Sequence, residues 1–264
     1  MPAIPYWHVD AFSSEAFGGN QAAVMLWEDG FPPDDTMRRI GEENNFAETA
    51  FLVPCDGPEA DWHLRWFTPE CEIRLCGHAT LAAGHVLLEQ GGSDVVRFQT
   101  RQAGVLTVQR GEGGYELALP AIPTTPGDWA EAVAALGAGP QLIHRSPDRY
   151  DVFLFQDEAQ VRALAPDFGA LAAMGDHQFI CTAPGNGTDV VSRVFVPGAG
   201  VPEDSVTGSA HAVLTPFWAE RLGRGEFTAY QASRRGGLLT CRLDGGTAWL
   251  GGPCVTVVEG MFRY

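Results

Sequence analysis

The chain repeats itself, and that repeat constrains its fold more than any other feature. Arg65-x-Phe67-x-Pro69 recurs 128 residues later as Arg193-x-Phe195-x-Pro197. Glu72-x4-Gly77-His78-Ala79 recurs as Glu203-x4-Gly208-Ser209-Ala210, at an offset of 131. Gly104-x-Leu106-Thr107 matches Gly237-x-Leu239-Thr240, and Pro120 matches Pro253, both at an offset of 133. Blocks in one order with small changes of spacing predict two similar halves produced by duplication. The expected boundaries are 1–120 and 121–253, with a strand at about 254–264 returning to the first half. The Pro-rich stretch Pro120–Pro126 reads as the linker.

Each half reads as α+β. A β-type run (Leu64–Phe67; Val190–Val196) leads through a loop into a mostly apolar helix, near Ala79–Gln90 and Ala210–Leu222. Strands and a Gly-rich hairpin turn follow, at Gly111–Gly114 and Asp244–Gly246. The first helix is apolar nearly all round, the pattern of a helix buried on every side. Pro216 is expected to kink the second helix or shift its start. Two such halves predict a ligand cleft between them.

Composition narrows the chemistry. All 17 basic residues are arginine, so no lysine exists to form a Schiff base or to serve a phosphate loop. A net charge of −16 without a basic run argues against nucleic acid or an anionic membrane as partner. No apolar stretch approaches about 20 residues, the length needed to span a bilayer. The first residues lack the charged and apolar segments of a signal peptide. The six cysteines are scattered and form no CxxC pair, which fits reduced thiols and a cytoplasmic location. No metal-ligand spacing and no dinucleotide fingerprint are present, so neither metal nor cofactor is expected. Gly18-Gly19-Asn20-Gln21 reads as a turn.

Several residues are candidates for chemistry. Glu48 is the one carboxylate inside the apolar run Asn44–Val53, read as extended; apolar surroundings suit a carboxyl group to proton transfer. Its bland alternative is the wet face of an alternating strand. Gly77-His78 and Gly208-Ser209 stand where the two helices begin, and helix starts bind anions such as carboxylates. Plain capping by Thr207 or Ser209 is the alternative. Asp204 can grip a substrate amine or complement the helix dipole. Of Arg234 and Arg235, at least one is expected at the solvated surface.

These residues resemble the PhzF (phenazine-biosynthesis) family. The resemblance rests on Asn45–Phe51, Phe67-Thr68-Pro69, Cys76–Thr80, Glu203–Ala210 and Gln231-x2-Arg234-x-Gly236-Gly237. It implies the diaminopimelate-epimerase fold, each half a barrel-like, mostly antiparallel sheet around a central helix, and a homodimer. It implies a cofactor-independent isomerase with Glu48 as general base and acid. His78, Asp204 and Ser209, with Gly77 and Gly208, would hold a small carboxylic-acid substrate. Ser205, where the family usually has Pro, implies a less fixed Asp204 loop; Arg74 is a second departure. A two-thiol racemase or epimerase on the same fold would need a thiol in each half. Cys76 supplies one, whereas Thr207-Gly208-Ser209 supplies none. A non-catalytic small-molecule binding protein is the remaining alternative.

Overall fold

Runs rich in Val, Phe, Ile and Leu form strands here because such side chains pack well on a pleated, buried face. The computed structural model describes residues 2–264. The first unit runs to Leu119 and takes back Gly251–Tyr264; the second is Pro120–Leu250. The fold is mixed α/β, dominated by sheet.

In the first unit the order is β1 (Ala3–Ala11), β2 (Asn20–Leu26), α1 (Asp34–Asn44), β3 (Glu48–Pro54) and β4 (Trp62–Phe67). Then come β5 (Glu72–Ile73), α2 (Gly77–Glu89), β6 (Val95–Thr100), β7 (Val105–Gly111) and β8 (Gly114–Pro120). Pairing runs β1–β2 antiparallel, β2–β3 parallel, β3–β4 antiparallel, β4–β6 parallel and β6–β7 antiparallel.

The second unit holds β9 (Thr125–Gly127), α3 (Ala130–Leu136), β10 (Leu142–Arg145), β11 (Tyr150–Leu154), α4 (Glu158–Ala163) and α5 (Phe168–Ala172). It continues with β12 (Gln178–Pro184), β13 (Val190–Val196), β14 (Val201–Asp204), α6 (Gly208–Leu222), β15 (Glu226–Gln231), β16 (Gly237–Asp244) and β17 (Thr247–Gly252). Its pairing runs β10–β11 antiparallel, β11–β12 parallel, β12–β13 antiparallel, β13–β15 parallel and β15–β16 antiparallel. The last strand, β18 (Cys254–Arg263), lies antiparallel along β1.

Helix α2 is buried from Gly77 to Leu88 and packs on β1, β2, β3, β6, β7 and β18. Each fully buried Leu or Val there contributes roughly 1.5–3 kcal/mol. Gly84 permits the close approach of β7, since a Cβ at that position would stand 2.3 Å from Val108 Cγ1. Among the described residues, no helix is long and apolar enough to cross a membrane.

The repeated motif residues make the same contact in each unit. The Arg65 guanidinium forks onto Glu72 at 2.7 and 2.8 Å, and Arg193 onto Glu203 at 2.7 and 2.9 Å. Such forks are among the more specific charge-assisted hydrogen bonds. Arg65 lies over Phe67 and Arg193 over Phe195. Each fork ties a strand to the segment that leads into the unit's apolar helix.

One expectation needs correction. Asn44–Val53 is not one extended run: Asn44 ends α1, Asn45 takes a left-handed φ of 50°, and the strand begins at Glu48. Asparagine tolerates that conformation better than most residues. Pro216, expected to kink α6 or shift its start, lies inside the helix Gly208–Leu222. Proline cannot donate to the carbonyl of Ala212, four residues earlier. That carbonyl accepts the N–H of Ile122 from the Pro-rich stretch, at 3.1 Å.

Candidate active site

Alternation along β3 decides where Glu48 lies. Phe51 and Val53 pack with Met37 and Ile40 of α1, so Glu48, Ala50 and Leu52 take the opposite face. Glu48 stands 3.1 Å from His78, Oε2 to Nε2, with side-chain exposures of 17% and 5%. The two atoms meet at ion-pair distance but off hydrogen-bond alignment, so each is a buried polar atom with no hydrogen-bond partner among the described residues. A wet-face carboxylate would have neither property.

The other edge of the His78 ring is held by Asn20 Nδ2, 3.1 Å from Nδ1, with Cys76 Sγ at 3.6 Å from the same nitrogen. Asn20 begins β2 directly after Gly19, whose φ is +61°. A Cβ on Gly19 would stand 2.1 Å from the Ala11 carbonyl oxygen, so the turn that delivers Asn20 requires glycine. Reading that segment only as a turn missed Asn20; the signal was a polar residue placed directly after a doubled glycine.

Burial works against a charged His78, but Cys76 and Glu48 beside it prevail, and the ring holds its proton well above the usual imidazole range. Burial, reinforced by the Glu48 carboxylate, pushes the Cys76 thiol up to about 11. Glu48, Cys76 and His78 are close enough to be considered as metal ligands. However, Cys76 lies on the Nδ1 edge of the imidazole and Glu48 on the Nε2 edge. The two neighbours therefore address different nitrogens of the one ring.

In the second unit, Asp204 ends β14 and accepts the Thr207 hydroxyl at 2.6 Å. Fully buried Gln231 accepts the Thr207 N–H at 2.8 Å and donates to the Asp204 carbonyl at 2.8 Å. The Ser205 carbonyl accepts the Ser233 hydroxyl at 2.7 Å. Side-chain bonds therefore secure the loop that the missing proline was expected to leave less fixed. Ser209, on the first turn of α6, is held by Gln178 at 3.0 Å. Arg74 and Arg234 are exposed.

The starts of α2 and α6 lack side-chain caps. Cys76 and Thr207 occupy the cap positions in extended conformation, and neither forms a capping hydrogen bond. The Thr207 hydroxyl is committed to Asp204 instead, so plain capping does not account for these residues. Gly77 and Gly208 open the two helices with backbone N–H groups of the kind that bind anions. The structure thus brings Glu48 and His78 together, adds Asn20 and Cys76, and holds Asp204 and Ser209 through Thr207, Gln231 and Gln178.

Residues 9–260 match the PhzC-PhzF family, described as phenazine biosynthesis-like protein. An uncharacterized isomerase of Pseudomonas aeruginosa is 45% identical over 262 residues, 98% of each chain. The mouse phenazine biosynthesis-like domain-containing protein 2 is 38% identical, covering 97% of this chain and 98% of its own. The crystal structure of a PhzF-family protein from Enterococcus faecalis superposes with a TM-score of 0.92 at 39% identity, over the whole of both chains. A hydroxyproline epimerase from Agrobacterium vitis shares the fold alone, with a TM-score of 0.60 at 13% identity over 98% of this chain and 92% of that one.

Proposed function

The chain belongs to the PhzC-PhzF family of phenazine biosynthesis-like proteins, and from that premise we propose an isomerase that moves a proton on a small carboxylic acid with Glu48 and no cofactor. The observation that carries the reading is the pair of half-buried Glu48 and buried His78, whose facing atoms stand 3.1 Å apart and have no hydrogen-bond partner among the described residues. Glu48 takes a proton from a carbon next to an unsaturated or carbonyl group. The C–H electron pair moves into that conjugated system, and the same carboxyl group returns the proton two atoms further along, on the same face. Atoms and charge balance, as an isomerisation requires. A carboxylate serves as base and its conjugate acid as donor, a role worth typically 10²–10⁴ in rate.

His78, fixed by Asn20, orients the substrate and steadies the developing negative charge. Gly77, at the helix start that carries His78, is proposed to bind a substrate carboxylate through its amide. Gly208, Ser209 and Asp204, at the matching helix start of the second unit, are proposed as substrate-binding residues from the family resemblance, Asp204 for an amine where one is present. The repeated forks and the repeated order of pairing favour two halves of common origin, each a barrel-like sheet around its apolar helix, and family resemblance favours a homodimer. Relatives named isomerase favour catalysis over mere binding. Nothing in this reading ties the substrate to phenazines.

The test is proton NMR of small carboxylic acids in deuterated water. One C–H signal should vanish as an isomer appears, with undiminished rate after dialysis against chelator. Loss of activity on dialysis, restored by a metal, ends the cofactor-independent reading. The neighbourhood of Cys76 and His78 favours one rival, thiol-based epimerisation; there, exchange occurs at a single stereocentre and no double bond moves.

A further inference from the structure

Three buried side-chain polar atoms lack a hydrogen-bond partner among the described residues: Glu48 Oε2, His78 Nε2 and Trp66 Nε1. The first two face each other. The third belongs to an indole that is 1% exposed. An unsatisfied buried donor costs about 1–3 kcal/mol, and folded proteins keep few of them. Sheet register places this one on the face of β3 and β4 that carries Glu48. Trp66 on β4 pairs with Ala50 on β3. Glu48, two residues before Ala50, is therefore the diagonal neighbour of Trp66 on the same face, within reach of aromatic and long side chains. The opposite face, with Phe51, Val53 and Phe67, is filled by α1. On its other side Trp66 pairs with Ile73, three residues before Cys76.

We propose that Trp66 is a substrate-binding residue, its Nε1–H donating to a carboxylate or enolate oxygen of the substrate beside Glu48 and His78. An indole N–H is a donor only and stays protonated. It can hold an oxyanion without competing for the proton that Glu48 carries, and its burial strengthens the bond. The proposal rests on the reading of Glu48 and His78 as the reacting site.

The experiment uses protein labelled with ¹⁵N at its seven tryptophan indoles, titrated with fumarate as a small unsaturated dicarboxylate. Trp66→Phe assigns the signal. The Trp66 indole proton should move downfield and saturate together with the His78 ring signals. Replacing Trp66 by benzothienylalanine, the same shape with sulfur in place of N–H, should weaken fumarate about tenfold, the lower range for a hydrogen bond to a charged group. If the His78 signals report binding while the indole stays still, or the sulfur analogue binds equally well, the assignment of Trp66 fails and the Glu48 reading survives. If neither signal moves, the carboxylate site itself is wrong, and the role of Trp66 falls with it.

Discussion

Nε2 of His78 lies 3.1 Å from Oε2 of Glu48, deep enough that water does little to screen the pair. The carboxylate arrives at the start of a strand and the imidazole on the first turn of a helix, two rigid elements. On the proposed reading, little reorganisation is needed before a proton moves, which is the condition for effective general acid–base chemistry.

Glu48→Gln keeps the shape of the side chain and its hydrogen-bonding capacity but cannot accept a proton. Turnover should fall by at least about a hundredfold, while affinity for a carboxylate ligand changes far less. Steady-state kinetics and ligand titration of the two proteins measure the split. Retained turnover would remove Glu48 from the reaction.

The same substitution should move His78. Its raised proton affinity in the folded protein owes to Cys76 and Glu48 beside it, so removing the carboxylate takes away one of two supports. With the carboxylate gone, less opposes burial and the ring should titrate at lower pH. A raised folded-state pKa gives stability that is full below the ordinary imidazole value of about 6.5 and is lost as pH rises through the folded value. The wild-type melting temperature should therefore decline over that rise, and Glu48→Gln should show less decline. NMR titration of the His78 ring, paired with melting curves across pH, tests both halves.

Cys76→Ser should leave most of the activity. A thiol with a pKa of about 11 is ionised in roughly one molecule in 10⁴ at pH 7, a poor base for a carbon acid. Abolished turnover in Cys76→Ser, with Glu48→Gln tolerated, would transfer the assignment to thiol-based epimerisation.

Local patterns carried the legible part of this molecule. Glycine-led helix starts, an all-apolar helix and repeated Arg and Glu positions announce themselves within a few residues, and the forks of Arg65 and Arg193 give those repeats a physical reason. The rest depends on partners far along the chain. Asn20 meets His78 across 58 positions, and Gln231 meets Thr207 across 24. Pro216 breaks no helix because Ile122, 94 residues before it, supplies the N–H that satisfies the Ala212 carbonyl. Nothing in the periodicity of α6 encodes that donor. Trp66 likewise reads as an ordinary core aromatic until its N–H is found without a partner.

Gln231 can be tested by a change that keeps its size. Gln231→Leu removes the acceptor for the Thr207 N–H and the donor to the Asp204 carbonyl. Orphaned buried groups cost about 1–3 kcal/mol each, so unfolding in urea should show a loss of roughly 2–4 kcal/mol. If the loop also positions Asp204 for binding, KM should rise more than kcat falls. An unchanged unfolding midpoint would show that Gln231 does not hold the loop.

His211 should impose a pH dependence opposite in sign to that of His78. It is fully buried on α6, with Nδ1 2.8 Å from the Thr207 carbonyl and Nε2 3.4 Å from the Ser192 hydroxyl. The carbonyl can only accept, so Nδ1 carries the proton and Nε2 is left as the acceptor for Ser192. That arrangement is complete for the neutral ring. Burial pushes the pKa down to about 4, with the Thr207 bond only partly opposing it. In the unfolded chain the same ring binds its second proton near pH 6.5. Between those values the unfolded state holds more protons, so stability falls as pH drops from about 6.5 to about 4, by about 3 kcal/mol in all. Thr80 occupies the matching position on α2 and donates to the Cys76 carbonyl as His211 does to that of Thr207. His211→Thr therefore keeps the back-bond and removes the titrating ring. Its absolute stability will differ from wild type because the side chain is smaller. The slope of melting temperature against pH between 6.5 and 4 is the informative measurement: it should flatten in His211→Thr, and a slope as steep as wild type would assign the acid sensitivity to another group.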